Sequence, residues 1–347
     1  MNSIIKHIVF LTPGFAKNKQ DSTTIPAIQI YIKALKSQQP ELKITIIAFQ
    51  FPFTNEKYKW FGCEVIPLNG RNSKLKRIFI WKKVFTILNS LNKVNPISIL
   101  HSFWLGECAF VGNLFLKKQN IKHVCTLMGQ DVLKNNFYLK LLPIQKMKLI
   151  CVSDFQRKQL YNSLILQTKV IPWGINDDDF SNEITKSIDI IGVGSLITLK
   201  NYELFVEIIF EINKKTPIKV VLIGDGIQKE FLEEKIKKLQ LENTICLKGL
   251  LPYNETLNYI SQSKILLHTS NYESFGMIFA EALHCKTRIV SKEVGCAFTF
   301  ENWQVCNTKS QMIAACLDAL SIPFSENLKN PFVIENTVEN YLKIYNE

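Results

Sequence analysis

The sequence predicts an α/β protein made of two successive doubly wound parallel sheets. Three observations carry that expectation. Short β-branched runs alternate with amphipathic stretches along the whole chain, the strand–helix–strand order repeats instead of segregating, and the charge changes sign near the middle, at a turn rich in Pro, Gly and Asn. At 347 residues, the chain is long enough for two domains of ordinary size, each with its own core.

The elements follow in order. In the first half, strands are expected near His7–Leu11, Lys43–Ala48, Ile97–His101, His123–Leu127, Leu149–Val152 and Lys169–Ile171. In the second half, strands near 187–195, 218–224, 244–249, 264–269 and 287–291 alternate with helices near 202–214, 229–239, 255–261 and 275–284. The stretch Pro172–Asp179 reads as the linker, which gives a first domain over 1–175 and a second over 176–325. The segment 326–347 reads as a last helix that crosses back to the first domain. In open parallel sheets ligands sit beyond the carboxyl ends of the strands, so two such sheets are expected to face each other across a cleft.

Composition narrows the class. No apolar run reaches the roughly 18 to 20 residues that span a bilayer, and Met1–Phe15 reads as a first strand ending at Pro13-Gly14, not as a leader. Nine cysteines are scattered singly with no C-x-x-C pair, as small buried hydrophobes of a reducing, cytoplasmic compartment would be. Residues 1–170 hold 25 Lys and Arg against 7 Asp and Glu, an excess of 18, whereas residues 171–347 hold 17 against 23. The basic first half suits an anionic surface, for which lipid headgroups, nucleic acid or a phosphorylated acceptor are candidates. Within it, Arg71–Phe85 mixes cations with bulky apolar residues. As a helix it can lie on an anionic membrane, at the inner face of the cell membrane, or pack on the core with a charged outer side.

The segment from His268 to Leu283 is the most specific. It places Glu273 and Glu281 eight residues apart around a strand end, a short loop and a helix start. At about 1.5 Å per helical residue, the two lie no more than roughly 12 Å apart along the axis, a separation suited to the two ends of a nucleotide sugar. The free N–H groups of Ser274, Phe275 and Gly276 and the positive end of the helix form a seat for a diphosphate. Upstream, Gly192-Val-Gly194-Ser195 through Lys200-Asn201 follows a strand and precedes a helix, which brings Lys200 to the same edge as a point charge for phosphate.

The Glu273-x7-Glu281 pattern in its Ser-x-x-Glu-Ser-Phe-Gly-like setting resembles the signature of the group 1 (family 4) glycosyltransferases, which are retaining enzymes of the GT-B architecture. The likeness is strong over 188–295 and looser before it. It implies two Rossmann-like domains facing a cleft and transfer of a sugar from a UDP- or GDP-sugar to a saccharide or lipid-linked acceptor, in cell-surface polysaccharide or glycolipid assembly. No metal or other cofactor is implied. By the same resemblance Glu281 binds the donor ribose, Glu273 lies by the sugar hydroxyls, and the backbone of Phe275, Gly276 and Met277 holds sugar hydroxyls and phosphate. Ser195 stands where the family usually has a phosphate-binding Arg. Gly224, in the turn Gly224-Asp225-Gly226, Gly249, where relatives read the base, and Gly14, in a loop where the family commonly has two glycines, complete the implied donor set. His101, at a predicted strand end, is the implied partner of the donor sugar, although a lone His also suits a core. Asp131 in Gly129-Gln130-Asp131 is either an acceptor-side contact or a turn former.

Other chemistries fit less well. Asp177-Asp178-Asp179 contains an Asp-x-Asp, but it lies in the linker, and no His or Cys cluster has zinc spacing. A retaining glycosidase needs its carboxylates about 5 to 5.5 Å apart and an inverting one roughly 6.5 to 9.5 Å, whereas this pair brackets a phosphate-type seat. A nucleic-acid-binding protein answers the basic charge without any recognised motif, and a non-catalytic nucleotide-sugar binder answers the missing Arg.

Overall fold

The computed structural model describes residues 5–117, 119–164, 166, 168–176, 185–298, 302–323 and 330–347. The chain divides into two compact units, one of Met1–Gly174 with Ile334–Glu347 and one of Ile175–Val333. The Asp177–Asp179 run falls outside the described residues.

The first unit runs β1 (His7–Gly14), α1 (Pro26–Gln38), β2 (Lys43–Phe51), β3 (Tyr58–Trp60), β4 (Cys63–Pro67), α2 (Arg77–Val94), β5 (Ile99–Phe103), α3 (Glu107–Leu116), β6 (Lys122–Thr126), α4 (Tyr138–Leu141), β7 (Lys148–Cys151), α5 (Asp154–Leu164) and β8 (Lys169–Val170). Its sheet has the order β3-β4-β2-β1-β5-β6-β7-β8, parallel throughout except for the β3–β4 pair. Central strands such as β1 are buried on both faces, as their unbroken Ile, Val, Phe and Leu require.

Three expectations shift here. The β3–β4 hairpin was not anticipated: its strands have three and five residues, too few to show a period. β5 starts two residues later than predicted, which moves His101 from the strand end to the strand centre. The Arg71–Phe85 stretch is helical only from Arg77; Arg71 and Asn72 have positive φ values of 56° and 54° and belong to the preceding turn.

The second unit runs β9 (Ile188–Val193), α6 (Tyr202–Asn213), β10 (Val220–Ile223), α7 (Lys229–Lys238), β11 (Ile245–Gly249), α8 (Tyr253–Ser261), β12 (Ser263–His268), α9 (Met277–His284), β13 (Arg288–Ser291), β14 (Trp303–Val305) and α10 (Lys309–Ser321). All its strands are parallel, in the order β11-β10-β9-β12-β13-β14. α6 shows why the layers form: Phe205, Val206, Ile208, Ile209 and Ile212 are buried against the sheet, while Glu203 and Glu207 reach Lys235, and Glu207 also reaches Lys309. α10 begins with a reciprocal capping box between Thr308 and Gln311.

The last helix, α11 (Ile334–Asn346), belongs to the first unit. Ile334, Thr337, Val338, Tyr341, Ile344 and Tyr345 form one buried stripe at helical spacing. Two of its tyrosines enter a polar network: Tyr345 Oη lies 2.6 Å from His101 Nδ1 and 2.8 Å from Tyr31 Oη, and Tyr341 Oη lies 2.8 Å from Thr126 Oγ1. Lys122 donates to the carbonyls of Ile344 and Tyr345, and Lys148 and Lys169 pair with Glu347, so cations gather where the helix dipole is negative.

Candidate functional site at the switch point of the second sheet

β9 and β12 lie side by side at the centre of the second sheet, and the chain leaves them in opposite directions. After β9 it goes to β10 and β11 on one side, and after β12 to β13 and β14 on the other. The carboxyl ends of two such strands leave a crevice, because their following loops diverge. Here the loops are also tied together: the Asn271 N–H donates to the Leu199 carbonyl at 2.8 Å and Thr269 Oγ1 to the Lys200 carbonyl at 3.1 Å.

Glu273 stands in this crevice. Its Oε1 receives the Lys200 ammonium, Ser270 Oγ at 3.1 Å and His268 Nε2 at 3.0 Å. Three donors thus converge on one oxygen, and among the described residues no protein partner falls on Oε2. Burial by itself raises the Glu273 carboxyl, but the His268 and Lys200 contacts together outweigh it and hold the group at about 2. The result is a carboxylate ionised at every physiological pH, with one oxygen fixed and the other available. Backbone walls confine it further: a Cβ on Gly295 would stand 3.0 Å from Glu273 Cβ, and one on Gly276 3.6 Å from its Cγ. Gly295 has φ +62° and also passes within 2.2 Å of the Phe275 oxygen by the same measure, so no larger residue fits there.

Gly276 is the N-cap of α9 in a left-handed conformation (φ 84°), which turns the chain from the loop into the helix. The first N–H groups of α9 have no intrahelical acceptors, and they point along the positive end of its dipole. Phe275 puts only its backbone at the site; its ring is buried and packs edge-on to Phe332 at 5.2 Å. Met277, half-buried, opens the helix. One turn further on, Glu281 is only 7% exposed. Burial pushes its carboxyl up to about 7, against a smaller opposing hydrogen bond from Tyr253 of α8. A nearly dry carboxyl is suited to accept hydroxyl groups of a ligand.

The remaining predicted residues are distributed as follows. Ser195 lies in the exposed turn after β9 and offers a hydroxyl, not a cation. Gly249 ends β11 with φ +70° and open space around its Cα. Gly224 serves packing: a Cβ there would fall 1.9 Å from the Gly194 oxygen, so its bare backbone is what lets the ends of β9 and β10 meet. At Gly14 a Cβ would make only ordinary contacts with Ile25 and Phe51, so nothing in the protein demands glycine.

Two expectations are corrected. His101 does not sit at an open strand end; it is fully buried, with Nδ1 on Tyr345 and Nε2 on Thr126 Oγ1 at 2.8 Å, and burial holds its ring well below the usual histidine range. It is a neutral core histidine that receives α11. Asp131 is likewise engaged by its own loop: the N–H groups of Leu105 and Gly129 donate to it at 2.8 Å and that of Met128 at 3.3 Å. Burial still leaves its carboxyl raised. It shapes the turn after β6.

His268, Ser270 and Gly295 were not singled out by sequence reasoning. His268 ends β12 and looks like a core residue, and nothing local signals that its ring reaches Glu273. Among the described residues its Nδ1 has no hydrogen-bond partner, so Nε2 carries the contact to Glu273. Among the described residues, no group of three or more His, Cys, Asp or Glu side chains is gathered to hold a metal ion.

Against known proteins, residues 175–311 match the family described as glycosyl transferases group 1. An uncharacterized glycosyltransferase of Methanocaldococcus jannaschii is 25% identical over 277 residues, covering 78% of this chain and 76% of that protein. One polypeptide of the human phosphatidylinositol N-acetylglucosaminyltransferase is 31% identical over 154 residues, covering 42% of this chain but only 32% of that polypeptide's length. The crystallised sucrose-phosphate synthase of Thermosynechococcus elongatus superposes with a TM-score of 0.79 at 15% identity, covering 98% of each chain, which establishes the GT-B fold.

Proposed function

We propose that this chain, whose residues 175–311 match the family described as glycosyl transferases group 1, transfers a sugar, with retention of configuration, from a UDP- or GDP-sugar to a saccharide or lipid-linked acceptor. The observation that carries this reading is the Glu273 carboxylate, held on one oxygen by Lys200, His268 and Ser270 beside the amino end of α9. In this mechanism the donor diphosphate lies against the first N–H groups of α9 and draws the Lys200 ammonium, which neutralises the charge that develops on the leaving group. Glu273 Oε2 accepts from a hydroxyl of the donor sugar and fixes the anomeric carbon for attack. Glu281, one helical turn deeper, accepts from the ribose diol. The departing phosphate takes the acceptor's proton on the same face, so configuration is retained without a protein nucleophile. No metal ion is needed where a lysine and a helix end already supply the positive charge.

The human relative's name joins an N-acetylglucosaminyl group to a phosphatidylinositol, which supports a lipid-borne acceptor, and the basic first unit supports work at the cytoplasmic face of an anionic membrane. The product then belongs to cell-surface polysaccharide or glycolipid assembly. The first test is thermal stabilisation by a panel of nucleoside diphosphates and nucleotide sugars, followed by NMR assignment of the anomer released. A shift with one nucleotide, lost in Glu281→Ala, and a retained anomer are expected. Binding without turnover in the presence of any acceptor would leave only a nucleotide-sugar-binding protein, and no shift with any nucleotide would overturn the reading.

A further inference from the structure

Two helices of the first unit, both packed on α3, carry exposed apolar side chains and lysines. At the start of α2, Leu75, Ile78 and Phe79 are 90%, 62% and 75% exposed, among the exposed Lys74, Lys76, Lys82 and Lys83. At α4, Phe137 and Leu141 are 64% and 47% exposed, flanked by exposed Lys134, Lys140 and Lys146. The two groups lie far apart in sequence, but the fold joins them. Arg77 pairs with Glu107 of α3 at 2.6 Å, and both charges act on Tyr138 of α4. Trp81 of α2 packs at a tilt 5.0 Å from Phe110 of α3, which lies 6.0 Å from Tyr138.

The electrostatics are one-sided. Residues 65–106 contain seven cations and no acid, and residues 132–153 contain four lysines and no acid. Of the two acids between them in the sequence, Glu107 is already paired with Arg77, and Asp131 is held by the N–H groups of Leu105, Met128 and Gly129. Single exposed hydrophobic residues need no explanation, but five in two neighbouring clusters, each ringed by lysines, do. Aliphatic tips such as Leu75, Ile78 and Leu141 have nothing to stack on in a nucleic acid, whereas apolar tips with lysines beside them match the boundary of an anionic bilayer.

We propose that the beginning of α2 and the whole of α4 form one docking face for an anionic lipid bilayer, with Leu75, Ile78, Phe79, Phe137 and Leu141 entering below the headgroups and the lysines lying among them. This rests on the membrane part of the function proposed above and not on its transfer chemistry. It extends the sequence expectation, which concerned Arg71–Phe85 alone, to a second helix.

The test is co-sedimentation of the full chain with vesicles of phosphatidylcholine alone and of phosphatidylcholine with phosphatidylglycerol, at low and high salt. Partition onto the anionic vesicles, weakened by salt, is expected. Phe79→Ser and Phe137→Ser should each lower it by about tenfold or more, and Lys82→Ala and Lys140→Ala by roughly fivefold each. Phe231→Ser, which removes an exposed ring from α7 of the second unit, should change nothing. Every variant alters an exposed side chain, so an unchanged urea midpoint verifies its fold. No sedimentation, equal sedimentation with neutral vesicles, or retention by nucleic acid in place of vesicles overturns the proposal. Sensitivity to Phe79→Ser without sensitivity to Phe137→Ser overturns the two-helix face. Nucleotide stabilisation measured on the same samples separates the outcomes: its absence beside normal vesicle binding refutes the transfer reading and leaves the docking face standing.

Discussion

Replacing Glu281 by Gln removes a titrating group from a site that is only 7% exposed while keeping its shape. Burial raises this carboxyl from its ordinary 4.5 to about 7. A carboxyl raised on folding binds its proton more tightly in the folded chain than in the unfolded one. Its contribution is therefore fully favourable below the unfolded value and is lost as pH rises through the folded one. At about 1.4 kcal/mol per unit, the wild-type protein gives up on the order of 3 kcal/mol between acid and mildly alkaline solution, a loss the neutral amide does not share. Urea titrations of wild type and Glu281→Gln near pH 5 and near pH 8 read the difference. The variant should gain on the wild type as pH rises, with most of the gain above about pH 5 and a plateau past about pH 8. A difference that stays flat with pH, or a variant that loses stability at the alkaline end, would refute the argument that this carboxyl is stranded by burial. Nucleotide binding should follow the opposite trend. An ionised carboxylate accepts from a diol more strongly than a neutral acid, so affinity for the nucleoside diphosphate should tighten as pH passes through about 7 in the wild type and stay level in Glu281→Gln.

The other expectations centre on the neighbouring carboxylate and the core. Lys200→Ala should reduce turnover by about a hundredfold or more, with little change in the KM for acceptor, as steady-state assays with saturating donor would read. Glu273 is depressed to about 2, so its contribution is present above the ordinary carboxyl value and lost as pH falls. Glu273→Gln should therefore cost up to about 3 kcal/mol near pH 7, a deficit that shrinks below about pH 4, as denaturation midpoints across that range would show. His268→Ala should lower kcat while leaving the Kd of the free nucleoside diphosphate unchanged, because the ring orients the carboxylate that meets the sugar; equal loss of both would mean a general collapse of the site. His101→Leu should destabilise the chain by about 1 to 3 kcal/mol through the hydroxyls it strands, yet retain turnover when assayed well below its melting temperature.

Much of the second unit was legible in the sequence because its strands are short β-branched runs that alternate regularly with amphipathic helices of 8 to 13 residues. The Glu273-x7-Glu281 spacing also sits on an unmistakable strand–loop–helix junction. The meeting of Lys200 with Glu273 could be anticipated for the same reason, since both follow strands that parallel topology places side by side. What stayed hidden depends on position within a strand or on distant partners. A shift of two residues at β5 turned His101 from a site candidate into a core residue, and its true partner, Tyr345, lies 244 positions away. Asp131 carried the right residue type in the right loop, but its backbone donors, including Leu105, come from turns that leave no compositional trace. His268 reads as an interior residue by every local criterion, and it is interior; its role comes from the carboxylate that the following loop folds back onto it. The joining of α2 and α4 through Glu107 and Phe110 is a tertiary fact of the same kind.

The placement of α11 has a temporal side. Because the second unit is inserted between Gly174 and Ile334, the first 174 residues emerge during synthesis without the helix that fills their core. Until α11 leaves the ribosome, His101, Thr126 and Tyr31 lack the hydroxyls of Tyr341 and Tyr345, and Lys122 lacks its carbonyls. The inserted unit, whose sheet draws on no later segment, can finish first. A nascent chain arrested just before Ile334 should therefore protect residues 185–333 from protease while leaving the earlier residues open, so the first unit is completed after the second.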